Sequence, residues 1–432
     1  MPRGYTLWEK NSKRSGEMSD SILVIGGGFS GVTAAVEAAE MGYNVYLVEK
    51  ESYLGGRVAQ LNKYFPKLCP PTCGLEINFK RIKTNPRITF YTMADVESVS
   101  GGPGDFNVSI KVRPRGTTPQ CTNCKAGEEA AKTEVPDEFN FGLSKRKPIY
   151  MPHPMAFPNQ CVLDMENVSG EELEAIKAAM PEGHVDTSQA EETVNLNVGA
   201  IIVATGWKPY DPTKLTNLKF NDYDNVITNM MMERLASPSG PTGGKIQRPS
   251  DNEAPKSVGF VQCAGSRDEN HLGFCSYICC MATLKQITYL KEQNPECECY
   301  VFYIDIRAPG RKYEKFYNKI KEMDNVHFIK GKVADILPGD APGSVKLVAE
   351  DTIGGGKKEQ EVEMAVLATG MQPVGAESQI PGIEYDSDGF VVPKEGIIPC
   401  GCAQRPIDVV SSGQSATAAA LKAVQTISRR AS

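Results

Sequence analysis

The sequence SILVIGGGFSGVTAAVEAAEMGYNVYLVEK, residues 21–50, decides the fold of this chain. The apolar run Ser21–Ile25 is typical of a buried parallel strand, and it leads directly into closely spaced glycines. The small-residue segment Val32–Met41 predicts a helix that stops at Gly42, and Asn44–Val48 predicts a second strand. Strand, helix and strand in this order predict a βαβ unit with a right-handed crossover.

The spacing Gly26-x-Gly28-x-x-Gly31 predicts a dinucleotide site where the helix begins. The first glycine makes the tight turn, the second lets the backbone approach a pyrophosphate, and the third lets the helix pack on the strand. Glu49 follows the second strand, where an acidic side chain binds both ribose hydroxyls. A glycine-rich turn without a ligand is the alternative, but the strand, helix and acid around these glycines make it much the weaker one.

The length, composition and charge of the chain exclude several classes of protein. The 432 residues predict two or three domains, and 41% hydrophobic with 23% charged residues is ordinary for a globular protein. A net charge of -6 is a poor match to nucleic acid, so no nucleic-acid partner is expected. No apolar run has the length of a membrane span, and residues 1–20 lack the apolar stretch of a signal peptide. We therefore expect an intracellular protein that does not itself cross a membrane.

Two further signals favour FAD over NAD as the dinucleotide. Gly55-Gly56-Arg57 resembles the GG motif of two-dinucleotide-binding-domain flavoproteins, and two Ala-Thr-Gly segments resemble the strands that lie under the flavin in that superfamily. Its terminal Gly-Asp motif is altered here to Pro399-Cys400-Gly401-Cys402. The predicted FAD-binding residues are Gly26, Gly28, Phe29, Ser30, Gly31, Glu49, Lys50, Gly56, Arg57, Ala204, Thr205, Gly206, Thr369, Gly370, Gly401, Gln414 and Ala416.

A second α/β block, beginning near Ser257, carries cysteines where a second nucleotide motif is expected. The predicted strand Val258–Gln262 runs into Cys263-x11-Cys275-x3-Cys279-Cys280, and no GxGxxG follows it. Four thiolates suit a [4Fe–4S] cluster, because each iron needs one soft ligand. Adjacent cysteines disfavour a zinc knuckle, whose ligands come in CxxC pairs. Four cysteines buried as small apolar side chains remain the alternative.

These residues resemble a known family. Cys263-Ala-Gly-Ser-Arg-Asp268, with the three cysteines that follow, is similar to the A subunits of heterodisulfide reductases, and the similarity covers nearly the whole chain after about residue 20. The resemblance implies a thioredoxin-reductase-like α/β flavoprotein with two Rossmann-like domains and a cluster beside its FAD. The segment Val135–Lys147 looks like a stretch of the family's inserted ferredoxin lobe.

The insert departs from the family pattern. It keeps only Cys121, Cys124 and Cys161, too few to ligate a cubane cluster fully, so we expect a degenerate ferredoxin-like lobe without clusters. In a reducing compartment the thirteen cysteines of the chain are not expected to form structural disulfides, so clustered cysteines suggest metal ligation or redox chemistry. A metal on these three is the weaker alternative, because CxxC is a real but weak ligand pair.

The short, single-FAD form resembles the A subunits (QmoA) of the quinone-interacting membrane-bound oxidoreductases of sulfate reducers. This resemblance implies three partners: a QmoB-like flavin and iron–sulfur subunit, a QmoC-like haem b membrane subunit, and adenylylsulfate reductase. It places the chain in the cytoplasm at the inner face of the membrane, which it contacts only through partners.

The predicted organisation divides the FAD-binding domain into three separate segments. It comprises an N-terminal extension (1–20), a first FAD-binding segment (21–113), the degenerate insert (114–168), a second FAD-binding segment (169–256), the second Rossmann-like domain with the cluster (257–350), and a third FAD-binding segment (351–432).

Several shorter motifs and the histidines are less specific. Cys69-Pro-Pro-Thr-Cys73 departs from the CxxC of thiol exchange, so a proline-stiffened loop is preferred slightly over a redox dithiol. The basic run Lys145–Lys147 is typical of a solvated face, with docking of an acidic partner as the alternative. Cys297 and Cys299 are expected to be structural, and Cys400 and Cys402 to lie near FAD. His153, His184, His271 and His327 predict no catalytic site.

We therefore hypothesise that the chain is an electron-transfer oxidoreductase subunit that is inactive without its partners. In it, FAD would link two-electron chemistry to single-electron transfer through a [4Fe–4S] cluster. It would pass electrons between the quinone pool and adenylylsulfate reductase. The alternatives are a flavin-bifurcating subunit of the heterodisulfide reductase type, a stand-alone NAD(P)H-dependent FAD disulfide reductase, and a scaffold that keeps FAD as a structural ligand.

Overall fold

The computed structural model of the chain describes residues 19–431, so the predicted N-terminal extension lies almost entirely outside the described residues. The helices are α1 (Phe29–Glu40), α2 (Thr72–Thr84), α3 (Lys125–Ala130), α4 (Gly170–Ala179), α5 (Asn229–Ala236), α6 (Cys279–Gln293), α7 (Tyr313–Lys321) and α8 (Val409–Ala431). The strands are β1 (Ser21–Ile25), β2 (Asn44–Val48), β3 (Ile88–Tyr91), β4 (Ala94–Gly102), β5 (Asp105–Val112), β6 (Val135–Pro136), β7 (Lys145–Arg146), β8 (Ile149–Tyr150), β9 (Val162–Leu163), β10 (Glu192–Val198), β11 (Ala200–Val203), β12 (Trp207–Pro209), β13 (Val226–Thr228), β14 (Ser257–Ala264), β15 (Glu298–Tyr303), β16 (Val326–Lys330), β17 (Val333–Pro338), β18 (Val345–Glu350), β19 (Lys357–Val362), β20 (Met364–Thr369), β21 (Met371–Pro373) and β22 (Ile397–Pro399).

The first sheet is parallel, with the spatial order β22-β11-β1-β2-β3. Alternate residues of β1 point to opposite faces, so Ile22 and Val24 pack under α1 and α8 while Leu23 and Ile25 pack against the antiparallel sheet β4-β5-β10. Both faces of β1 are therefore buried, which explains its continuous apolar sequence.

The second sheet is also parallel, with the order β13-β20-β14-β15-β16. Val258 and Phe260 of β14 face a core formed with α5, α6 and α7, while Val261 faces the antiparallel sheet β17-β18-β19. Two parallel sheets, each covered on both faces, confirm the predicted two-domain Rossmann-like architecture.

Sheet membership differs from the predicted boundaries at two places. Strand β13 lies before residue 256 and β20 lies after residue 350, yet both belong to the second sheet. The apolar run of β20 shows no preference for either sheet, because each parallel strand is buried on both faces. The chain therefore enters the second sheet earlier and leaves it later than the sequence predicts.

The insert, residues 114–168, folds around a small core of its own. Cys121 and Cys124 pack there with Ile149 and Ile176, and Cys124 is joined to Cys161 by a disulfide. The expectation that these cysteines form no disulfide is wrong for this pair, because the chain reversal between α3 and β9 brings two residues 37 apart in sequence into contact. Cys121 is buried and free.

The basic run of the insert is satisfied internally. Lys145 and Lys147 each form an ion pair with Glu134, and Arg146 contacts both Glu138 and Asp164. The solvated-face interpretation is therefore favoured over a patch reserved for an acidic partner. Within residues 19–431, no helix combines the length and apolar character needed to span a membrane.

Candidate functional site

A cavity of about 930 Å³ lies where the carboxyl ends of the first sheet face the second sheet. The carboxyl ends of parallel strands are where open α/β sheets bind their ligands. Most of the predicted cofactor-binding residues line this cavity: Gly26, Gly28, Phe29, Ser30, Glu49, Lys50, Gly56, Arg57, Ala204, Thr205, Gly206 and Gln414.

The glycine turn has the geometry that its spacing predicts. Gly26 has φ +102°, and a Cβ atom on it would lie against the carbonyl group of Ala204. A Cβ atom on Gly31 would collide with the carbonyl oxygen of Gly26. Gly28 is different, because the nearest atom to a Cβ there, outside the adjacent residues, would be the Cα of Gly56 at 3.9 Å. The missing side chain of Gly28 thus leaves open space at the helix start, where a pyrophosphate fits.

Glu49 is held beside this turn. Its Oε2 accepts a hydrogen bond of 2.6 Å from the N–H of Gly27, and its Oε1 accepts one of 2.8 Å from the N–H of Glu51. Burial raises the pKa of Glu49 to about 7, against the opposing effect of these two bonds. The carboxyl group lines the cavity, where ribose hydroxyls can satisfy its remaining acceptor capacity.

The GG segment packs directly on the glycine turn. The N–H of Gly55 donates to the carbonyl oxygen of Gly27 over 2.8 Å, and a Cβ atom on Gly56 would lie 2.9 Å from the Cα of Gly28. Arg57 is oriented by its bond to the side-chain oxygen of Gln60, 3.1 Å away. These contacts hold a cationic side chain next to the phosphate-sized space.

Five predicted cofactor residues lie outside the cavity wall: Gly31, Thr369, Gly370, Gly401 and Ala416. Gly31 supports the turn, Ala416 is buried in the core of the first sheet, and a Cβ atom on Gly401 would strike the side chain of Ser30. Thr369 donates instead to Oδ1 of Asn229 over 3.0 Å, so the segment after β20 contributes Met371 to the cavity rather than the Thr-Gly pair.

A buried ion pair in the cavity wall was missed by the sequence analysis. Lys285 of α6 and Glu233 of α5 are each 2% exposed, with 2.9 Å between Nζ and Oε2. Lys285 also donates to the carbonyl oxygen of Lys63, and Glu233 accepts from the N–H of Asn62 and from Tyr289. Burial lowers the pKa of Lys285 and outweighs the opposing attraction of Glu233. The pair ties the loop after the GG segment to the second sheet.

The four cysteines of the second block lie together at one edge of the second sheet. Cys263 is on β14, Cys275 is in the following loop, and Cys279 and Cys280 open α6. Burial raises the pKa of Cys279 well above its ordinary value, and the negative charges of the other three thiols raise it further. The Cys279 Sγ lies 3.7 Å from the carbonyl oxygen of Thr369, and the Cys280 Sγ lies 3.8 Å from the carbonyl oxygen of Asp305.

Two arginines lie beside this cysteine group, and both form ion pairs with Asp305. Arg267 opposes the raised pKa of Cys263, and the pKa of Arg307 is raised first by Asp305 and also by Cys275 and Cys280. Over the described chain, no set of three or more His, Cys, Asp or Glu side chains is arranged to hold a metal ion. The cluster assignment therefore stays a prediction, supported by the chemistry of the four thiols.

Comparison with known proteins gives consistent results. Residues 21–68 match the model of the FAD dependent oxidoreductase family. Two thioredoxin reductases share the fold, each with a TM-score of 0.52. The one from T. acidophilum is 13% identical, and the match covers 96% of this chain and 100% of that one. The one from Lactococcus lactis is 12% identical, and the match covers 95% of this chain and 99% of that one. FAD is accordingly the dinucleotide that the family model supports.

Sequence relatives extend over nearly the whole chain. An iron–sulfur A subunit of the CoB–CoM heterodisulfide reductase of Methanopyrus kandleri is 38% identical, covering 94% of this chain and 64% of its own length. The A subunit of the ferredoxin/F420H2-dependent CoB–CoM heterodisulfide reductase of Methanosarcina acetivorans is 36% identical, covering 96% of this chain and 54% of its own length. The chain thus spans less than two thirds of these relatives. Over this length it is a flavoprotein similar to the A subunits of heterodisulfide reductases.

Proposed function

We propose that this chain is an electron-transfer subunit that joins FAD to one [4Fe–4S] cluster held by Cys263, Cys275, Cys279 and Cys280. When bound, FAD supplies chemistry in steps of one and of two electrons, and an iron–sulfur cluster supplies single-electron transfer. The residues that would hold FAD are those of the glycine turn, Glu49 and the GG segment.

The observation that carries this proposal is the shared wall of the two predicted sites. Tyr277 and Ile278, which immediately precede Cys279, line the cavity. The Cys279 thiol donates to the carbonyl oxygen of Thr369 over 3.7 Å, and Met371, two residues further on, also lines the cavity. The cysteine loop therefore borders the space where the glycine turn and GG segment predict FAD.

The loop after β14 supports a site for a cluster rather than for a nicotinamide nucleotide. Phosphate binding at this position uses a short glycine turn that leads directly into a helix N-terminus. Here residues 265–278 separate β14 from α6, and the first residue of α6 is Cys279. A Cβ atom on Gly265 would strike the ring of Tyr210, so the start of this loop is filled by protein.

The ion pair of Lys285 and Glu233 gives the cavity a fixed charge arrangement. Both groups are buried, and both are also bonded to the backbone of the loop Asn62–Lys63, so they cannot turn to solvent without breaking several contacts. A preorganised ammonium group in a dry wall stabilises negative charge that develops on a group beside it. We propose that Lys285 has this role during electron transfer.

Two assignments of the electron donor and acceptor of this subunit are considered. The insert keeps one CxxC and Cys161, and two of these three cysteines form a disulfide. An insert with so few free cysteines supports the quinone-linked type. Its partners would be adenylylsulfate reductase, a QmoB-like subunit and a QmoC-like haem b subunit. The names of the curated relatives support a heterodisulfide reductase type instead. Reduction of the flavin by a short-chain quinol in the presence of a haem b membrane subunit is expected for the first type and not for the second.

Cofactor content tests the central proposal. Protein purified without oxygen should contain about four iron and four sulfide per FAD, as expected for one cubane cluster. Cys279→Ala should remove the low-temperature EPR signal of the reduced cluster and leave FAD bound. Cys297→Ala, which changes a buried cysteine outside the group, is the matched control and should keep both. An unchanged signal in Cys279→Ala, or nicotinamide bound beside the flavin, would contradict the assignment.

A further inference from the structure

The serine between Cys275 and Cys279 is buried in a loop that is partly exposed. Ser276 is 1% exposed, whereas Cys275 before it and Tyr277 after it are half-buried. A hydroxyl in such a position needs partners of its own, because a buried polar group without a hydrogen bond is costly. The partners of the Ser276 hydroxyl are therefore informative about the function of the loop.

The hydroxyl is fixed by the segment that follows β20. Its Oγ accepts a hydrogen bond of 2.8 Å from the N–H of Met371, and a Cβ atom on Gly370 would lie 3.1 Å from the same Oγ. A serine hydroxyl that accepts a bond still has one proton to donate. Within the part of the chain that the structure describes, no oxygen or nitrogen atom accepts that proton. The proton is thus left for an acceptor of another kind.

That acceptor is the sulfur of Cys279, three residues further along the chain. Burial and the neighbouring thiols raise the pKa of Cys279, and a hydrogen bond from the Ser276 side chain opposes this rise. The Cys279 Sγ also lies against the carbonyl oxygen of Thr369, so the sulfur and the hydroxyl contact the same short segment, residues 369–371. The Ser276 hydroxyl therefore joins the backbone of Met371, which lines the cavity, to a predicted cluster ligand.

The other sulfurs of the group face hydrogen-bond donors as well. The N–H of Tyr277 donates to the Cys275 Sγ over 3.4 Å. Burial raises the pKa of Cys280 to about 11, and the backbone N–H of Arg307 opposes this rise through a hydrogen bond. Both of these donors belong to the backbone, so no substitution removes them.

The remaining sulfur, that of Cys263, has a side-chain donor. Burial raises the pKa of Cys263, against the charge and the hydrogen bond of Arg267. Arg267 also forms an ion pair with Asp305, so its replacement would change the charge around the whole group. The Ser276 hydroxyl is consequently the donor that a substitution can remove with the least change in charge and volume.

We propose that Ser276 is a positioning residue that raises the reduction potential of a cluster on these cysteines through a hydrogen bond to the Cys279 sulfur. This inference rests on the proposed function, because it needs a cluster at this site. Negative charge on the ligand sulfurs increases when a cluster takes up an electron. An O–H donor therefore stabilises the reduced state more than the oxidised state.

Potentiometric titration of the whole chain, followed by the EPR signal of the reduced cluster, tests the proposal. Ser276→Ala should lower the equilibrium constant for reduction by up to about tenfold, the scale of one hydrogen bond, which is about 59 mV for one electron. Ser237→Ala removes another buried hydroxyl, which is bonded to Ser239 outside the cysteine group, and should leave the potential unchanged. An unchanged potential in Ser276→Ala, or loss of its cluster, would overturn the proposal.

A second measurement detects the hydrogen bond itself. Deuterium ENDOR of the reduced wild type, with the cluster reconstituted in D₂O, should show a coupling from the Ser276 O–D group that Ser276→Ala loses and Ser237→Ala keeps. Identical spectra of the two variants would overturn the assignment of the donor. Iron and sulfide analysis distinguishes the two failures. A wild type without iron contradicts the proposed function, whereas a cluster of unchanged potential in Ser276→Ala contradicts only the role of Ser276.

Discussion

Replacing Glu49 by Gln tests the proposed FAD site through a single atom. Each carboxylate oxygen accepts one backbone N–H bond, at 2.6 Å from Gly27 and 2.8 Å from Glu51. A glutamine can offer an oxygen to only one of these donors, and its NH₂ group faces the other. It also loses one acceptor for a ribose hydroxyl. Hydrogen bonds to a charged group contribute about 1.5–3 kcal/mol each, so FAD affinity should fall by about 10- to 150-fold.

The pH dependence of FAD binding follows from the same group. Burial raises the pKa of Glu49 to about 7 in the free site. Ribose hydroxyls donate to the ionised carboxylate, so binding lowers this pKa and releases a proton. By linkage, the affinity of the wild type should rise with pH up to about 7, by at most about tenfold per unit, and then level off. Glu49→Gln should show no such rise.

Titration of flavin-free protein with FAD, followed by quenching of flavin fluorescence, measures both effects. Glu51→Gln is the matched control, because Glu51 lines the same cavity and its substitution removes an equal charge while its backbone N–H is kept. Equal affinity in the wild type and Glu49→Gln, or an equal loss in Glu51→Gln, would show that the carboxylate does not bind the ribose.

Three further predictions concern stability and binding. Lys285→Met leaves Glu233, 2% exposed, without its cation, and should lower the free energy of unfolding in urea by about 3–5 kcal/mol. Adding Glu233→Gln should restore most of this loss. A double variant as unstable as Lys285→Met would argue against the ion pair. Gly28→Ala should fold normally by circular dichroism, since a Cβ atom has 3.9 Å of clearance, yet be purified without FAD. Cys161→Ala opens the disulfide that joins residues 37 apart and should destabilise the insert by about 3–4 kcal/mol, seen as faster limited proteolysis within residues 114–168.

The first βαβ unit was predictable because all its signals are local. Strand β1, strand β2 and the glycine turn lie within 30 residues, and each residue type has one physical role there. The helix starts three residues earlier than predicted, at Phe29, because a helix N-terminus at the turn itself supplies the free N–H groups. Glu49 also lies where its spacing indicates, with both oxygens beside the turn.

Features that join distant segments were not predictable in the same way. The Ala-Thr-Gly echo suggested that Thr369 and Gly370 contact the cofactor like Thr205 and Gly206, but β20 belongs to the second sheet and Met371 lines the cavity instead. The disulfide between Cys124 and Cys161 depends on the path of the chain through the insert. The sequence of a buried strand does not show to which sheet the strand belongs. The path of the chain through the insert likewise produces no periodic pattern in the sequence.

The ion pair in the cavity wall nevertheless had a signal that a different question would have found. Lys285 is the only charged residue in the predicted helix Met281–Leu290. Every residue of that segment is buried in α6, so the lysine has no exposed face to which it could turn. A buried ammonium group requires a buried carboxylate nearby. Glu233 meets the same description in α5, another helix with no exposed acidic face. A charge inside a helix that is buried all round therefore predicts a partner in another such helix. Because this pair also holds Asn62 and Lys63, the wall of the cavity keeps its shape only when both sheets are assembled.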